Sequence, residues 1–201
     1  VRPVVLAAFL SGATLFAPFA SAEGLYFGGG VGYTGATSTA QFSANNASEF
    51  DSGIATLILG QRFTAGAGFW GWETSADFSF GDEPEFNNFT CDEGAGGPYI
   101  CAHTATLRLV GTYGQPIATG TNMFGSLGVG MALGDYASDF DVLESAYTYG
   151  LTVGVGIEHS YQSGLIARGE VIYDDFTGDT QEAYNSDYRA TTVRLAVLRK
   201  F

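Results

Sequence analysis

Apolar and polar residues alternate along most of the chain with a period of two. The clearest run is "YTYGLTVGVGIE". There Tyr147, Tyr149, Leu151, Val153, Val155 and Ile157 alternate with Thr148, Gly150, Thr152, Gly154, Gly156 and Glu158. Strict alternation marks a β-strand with two unlike faces. Seven further segments read the same way. They are "GLYFGGGVGYT", the stretch around "IATLILGQRF", "FWGWETSADFSF", "HTATLRLVGTY", "NMFGSLGVGMAL", "GLIARGEVIY" and "TTVRLAVLRKF". The second is apolar on both faces, so its register is ambiguous. Strands of about ten residues match a tilted membrane-spanning strand.

The links between these segments alternate in length. Long polar links over 38–51, 81–102, 134–145 and 174–187 take turns with short ones over 64–68, 114–119 and 160–163. Long loops on one side and tight turns on the other predict an up-and-down transmembrane barrel of eight antiparallel strands, all-β. The apolar face carries aromatics near both strand ends. Phe63, Trp70, Trp72, Tyr113 and Phe201 lie toward the short turns, and Tyr33, Phe78, Phe80, Tyr147, Tyr149 and Tyr173 toward the long links. Two such girdles are expected at two membrane interfaces. A soluble barrel would need many Lys and Glu on its water-facing side. Here the polar face is mostly Gly, Ser, Thr and Ala, which suits a crowded interior.

The few charges on that face are the informative ones. Alternation puts Glu73, Asp77, Arg108, Glu158, Arg168, Glu170 and Arg194 on the lumen side. Adjacent strands then offer opposite signs: Glu73 or Asp77 beside Arg108, Glu158 beside Arg168, Glu170 beside Arg194. Gly28, Gly30, Gly128, Gly130, Gly154 and Gly156 are expected to leave these long side chains room. Side chains can fill an eight-stranded barrel, and buried charges must be paired. A plugged lumen is the expectation.

The start of the chain, "VRPVVLAAFLSGATLFAPFASA", has one positive charge, an apolar run and a small-x-small close at Ala20-Ser21-Ala22. It reads as a cleaved signal peptide over residues 1–22, with the barrel domain over 23–201. Only 14% of all residues are charged, and the net charge is −13. Nucleic-acid binding, which needs a basic footprint, is excluded. In an exported chain the two cysteines, Cys91 and Cys101, read as a disulfide closing the loop "CDEGAGGPYIC".

The last strand alternates Val193, Leu195 and Val197 with Arg194, Ala196 and Leu198, and ends on Phe201. This terminus resembles the assembly signal of outer-membrane β-barrel proteins. The resemblance implies recognition by the barrel-assembly machinery and pairing of the last strand with the first, which removes the open edge. Arg199 departs from the pattern, because it takes an outward position where the family usually has an apolar residue. The segments "GLYFGGGVGY", "WGWETSADFSFG", "RGEVIYDDF" and "RLAVLRKF" resemble the small eight-stranded OmpA-like and opacity-type outer-membrane family. The resemblance implies the bacterial outer membrane as location, with its lipid and lipopolysaccharide as surroundings. It says little about activity.

Chemistry is sparse. The triplet "EHS" at 158–160 resembles the His/Ser/Glu set of lipid A deacylases, but it falls at a short, periplasmic turn rather than by the outer leaflet. His103 lies on the outer side, and no serine nucleophile accompanies it in the sequence. No catalytic residue, cofactor or metal ligand is assigned. From Glu49 to Asp187 the long links hold 16 of the 21 acidic residues. They read as a solvated surface, with divalent cations as an alternative partner. The expected function is a non-enzymatic envelope-structural or surface-display barrel. The alternative is a narrow passive porin.

Overall fold

The computed structural model describes residues 24–40, 47–80, 102–138, 142–180 and 184–201. They form eight strands: β1 (Leu25–Ala40), β2 (Ala47–Ala65), β3 (Gly68–Phe80), β4 (Ala102–Ala118), β5 (Thr121–Ser138), β6 (Val142–Ser160), β7 (Leu165–Thr180) and β8 (Tyr184–Lys200). Each strand pairs antiparallel with the next, and β8 pairs with β1 to close a barrel. Closure leaves no edge strand, so each strand has a hydrogen-bonded neighbour on both sides. The first and last strands meet from Tyr26↔Lys200 to Ala40↔Ser186.

The alternation decides the wall. On β6, Thr148 and Thr152 are buried, while Leu151 is 64% exposed and Val155 56%. The same odd-out, even-in pattern runs through β1, β5 and β8. Leu127, Val129, Val193, Leu195 and Val197 all face outward. A continuous band of exposed aliphatic side chains is stable against hydrocarbon, not against water. Aromatics flank it: Trp70 and Tyr113 near the short turns, Tyr33, Tyr147 and Tyr173 near the other end. Phe63 stacks on Trp70 at 4.6 Å.

β2 is resolved in the same sense. Ile54 and Ile58 point in and are almost fully buried, while Leu57 points out. The turns at the end where β1 begins and β8 finishes are short, and Gly66 (φ 60°) and Gly164 (φ 80°) supply the left-handed backbone they need.

The strands run longer than expected, from 13 residues in β3 to 19 in β2 and β6. Pairing continues past the apolar band, as in Gly35↔Asp51 through Thr39↔Ala47. Three of the links expected to be long are therefore largely strand. Backbone ladders do not require apolar side chains, so alternation of hydropathy marks the membrane band rather than the strand ends. Likewise β4 passes through 114–118, expected as turn, with a register irregularity at Pro116, which has no N–H to donate. The link between β3 and β4, the proposed disulfide and residues 1–22 lie outside the described residues.

Inside the barrel, buried apolar residues form two clusters, one toward each end. Near the termini sits the cluster of Tyr26, Ile58, Ile166, Ala196 and Leu198. Toward the opposite end sits Ala36, Ala132, Phe176, Tyr188 and Ala190, with the Phe176 and Tyr188 rings stacked at 5.7 Å.

Candidate functional site: the lumen charge network

All seven charged residues expected in the lumen are there, each no more than 4% exposed. Two more join them, Arg62 on β2 and Asp174 on β7. Four guanidinium groups thus meet five carboxylates.

Arg194 is the hub. Its guanidinium reaches Glu170 at 2.9 Å, Glu73 at 3.2 Å and Asp77 at 3.3 Å. It also donates to Thr56 Oγ1 at 3.3 Å. Arg108 pairs with Asp77 and, at 2.5 Å, with Asp174. Its Nε donates to both Asp174 oxygens, at 3.0 and 3.2 Å. Arg168 donates to Glu73 at 2.5 Å and Glu158 at 3.4 Å. Arg62 and Glu158 meet in a two-pronged pair at 2.5 Å. The excess carboxylate charge draws in hydroxyl donors: Tyr26 to Glu73 at 2.7 Å and Ser126 to Glu170 at 3.3 Å.

The sequence expectation paired neighbouring strands. Two such pairs do sit opposite in the ladders, Glu158↔Arg168 and Glu170↔Arg194. The contacts between Arg62 on β2 and Glu158 on β6, and between Arg168 on β7 and Glu73 on β3, run between strands four apart in the closed order. Those strands are diametrically opposed, so the bonds bridge the bore. Arg62 also lies over the Tyr26 and Phe69 rings, at 4.6 and 4.3 Å, and Arg168 lies over Phe124 at 4.7 Å. Aromatic faces suit these cations, whose Nε atoms find no hydrogen-bond partner among the described residues.

The glycines serve a different neighbour from the one expected. A Cβ on Gly130 would lie 2.7 Å from the Phe176 ring, and one on Gly156 2.6 Å from the Phe124 ring. At Gly28, Gly30 and Gly128 it would strike the backbone of the adjacent strand. Only Gly154, of the six named, borders a charged group: its Cβ would meet Ser126 Oγ at 2.4 Å and Glu170 Oε1 at 2.9 Å. Small residues make way for inward rings and for closely approaching strands, and the charges then fill what is left.

The histidines are placed apart. Glu158 points into the lumen, so "EHS" along one strand cannot converge on a reacting atom. His159 bonds Thr121 Oγ1 at 2.9 Å and packs edge-on against Tyr161. His103 gains a serine that sequence reading missed. Its Nδ1 lies 2.6 Å from Ser79 Oγ and its Nε2 2.7 Å from Thr106 Oγ1. A register irregularity between His103 and Ala105 exposes Thr104, expected inside, and turns His103 toward the lumen.

Of the acidic residues assigned to long links, Asp174 is a lumen residue and Asp175 lies 3.6 Å from Arg189 at the surface. Among the described residues no cluster of three or more His, Cys, Asp or Glu side chains could hold a metal ion. In β8, Val193, Leu195 and Val197 line the outer wall. Phe201 is exposed at the rim, where its N–H donates to Leu25 O at 2.9 Å.

No protein-family profile matches the sequence, and no curated protein sequence matches it. Solved structures do. Ail, the attachment invasion locus protein of Yersinia pestis, is similar at 16% identity and TM-score 0.53, over 89% of this chain and 99% of that one. Neisserial surface protein A is similar at 9% identity and TM-score 0.54, over 89% and 98%. OprG of Pseudomonas aeruginosa is similar at 16% identity and TM-score 0.53, over 89% and 96%. At these identities the likeness is one of fold. The chain has the closed eight-stranded fold of the small bacterial outer-membrane β-barrels.

Proposed function

We propose that the protein is a non-enzymatic outer-membrane barrel with a closed lumen, whose role is envelope structure or display of its acidic links at the cell surface. The observation that carries this reading is the set of largely buried ion pairs bridging the bore. A pore needs a continuous polar path, and here the polar groups are used on one another. The domain boundary at residue 22 and the reading of the last strand and Phe201 as an assembly signal belong to the same proposal.

One structure of Ail is a complex with the heparin analogue sucrose octasulfate. That ligand chemistry does not carry over, because the links here are rich in carboxylates and would repel a polysulfate. The test is deletion of the gene, read by permeability of the outer membrane to a hydrophobic dye and by lipid A mass spectrometry. Raised permeability with unchanged lipid A is expected. Unchanged permeability with altered lipid A would replace this reading with an enzymatic one.

A further inference from the structure

A groove in the apolar outer wall lies close to an exposed cation. On β7, Ala167 and Gly169 are small and outward-facing. They form the floor of a groove between Ile157 on β6 and Leu195 and Val197 on β8, with Gly29 beyond. The groove is shallow and open to the surroundings, with a volume of about 680 Å³, and its lining is mostly apolar, with His159 at one side. At its end nearest the termini, one ladder step past Val197, stands Arg199, outward and exposed between Leu165 and Phe27.

Arg199 differs from the other cations. Arg62, Arg108, Arg168 and Arg194 are held in the lumen, and Arg189 is paired with Asp175. Arg199 and its neighbour Lys200 have no carboxylate within ion-pair distance among the described residues, although the whole chain carries a net charge of −13. Short turns mark this end as periplasmic, so Arg199 stands at the level of the inner-leaflet headgroups. Phosphate is the anion available there, and guanidinium binds it in two-pronged fashion.

We infer that this wall is a phospholipid site: Arg199 takes the headgroup phosphate of an inner-leaflet glycerophospholipid, and the groove over Ala167 and Gly169 takes one of its acyl chains. The charge that departs from the assembly-signal pattern then has a ligand. The site rests on the barrel's orientation in the membrane and not on a closed lumen, and it is read by bound lipid rather than current.

The test is native mass spectrometry of the full barrel, folded in neutral detergent with added phosphatidylglycerol. Folding is checked by the heat-dependent gel shift. The wild type should retain one phospholipid per barrel. Arg199→Gln should lower the retained fraction about tenfold, the loss of one charge-assisted contact, while Arg199→Lys keeps most of it. Ala167→Leu, which fills the groove without touching the cation, should also lower it. Arg189→Gln, at the opposite end, should leave it unchanged. Equal retention by wild type and Arg199→Gln would overturn the site, as would no retained phospholipid. A dimer that Ala167→Leu dissociates would overturn it too, by making the groove a contact between two copies.

Discussion

Two of the three arginines on β8 have opposite surroundings. Arg194 points into the lumen and meets three carboxylates within 3.3 Å. Arg199 points out and meets none among the described residues. Between them Leu195 and Val197 lie in the apolar band. The inner and outer faces of one wall, a single residue apart in sequence, are built for different solvents. For stability the outer face is chosen by hydropathy, and along the apolar band one aliphatic residue can replace another. The inner face is chosen by partner: each charge is tolerable only because a named group on another strand answers it. Substitutions should therefore be cheap or costly according to face and partner rather than position along the chain.

The largest effect is expected at the hub. Arg194→Ala leaves Glu73, Asp77 and Glu170 each short of a cation and should cost about 3–5 kcal/mol, read by urea unfolding of the folded barrel in lipid vesicles. A loss below that of a surface arginine would contradict the hub assignment. The complementary break is on the outer face. Leu195→Arg puts an unpaired cation mid-wall and should cost about 2–4 kcal/mol in vesicles. The cost should shrink in detergent micelles, where the head group can reach water; Arg194→Ala should show no such relief.

Tyr26→Phe isolates a single contact. It removes only the O–H donated to Glu73 and keeps the ring under Arg62. Because Arg168 and Arg194 still serve Glu73, the expected cost is about 1 kcal/mol. The smallest effect is at Arg189, which is more than half exposed and 3.6 Å from Asp175. Arg189→Ala should change stability by about 0–1 kcal/mol, and salt should erase the difference. A reversal of the order Arg194, Tyr26, Arg189 would mean that the lumen pairs do not govern stability.

The faces were legible in sequence because the pleat fixes them. Once Tyr147–Glu158 alternates, the side of Glu158 follows. Arg62 was missed because β2 is apolar on both faces around Ile54–Leu59. The signal was available in Thr56, Gly60 and Arg62, which share the even positions. Asp174 is hidden in the sequence because the apolar band of β7 stops at Tyr173; continuing Arg168, Glu170 and Ile172 by one more step reaches it. The Ser79–His103 contact depends on an irregularity that sequence alternation cannot reveal.

Contacts across the bore were not legible either. Pattern gives the face and register gives the neighbour. That Arg168 reaches Glu73 across the barrel depends on closure and on where Tyr26, Phe124 and Phe176 intrude. The expected role of the glycines changed for the same reason, since their neighbours are rings and strand backbones set by tertiary packing.

Single-channel recording tests most directly whether the inner face closes the bore. The intact barrel, reconstituted in planar bilayers at neutral pH, should give no steady conductance above the bare membrane. Arg194→Ala, which removes the hub, should admit brief openings if it remains folded. A large, stable, ion-selective current from the wild-type protein would contradict the closed lumen and make the chain a passive pore.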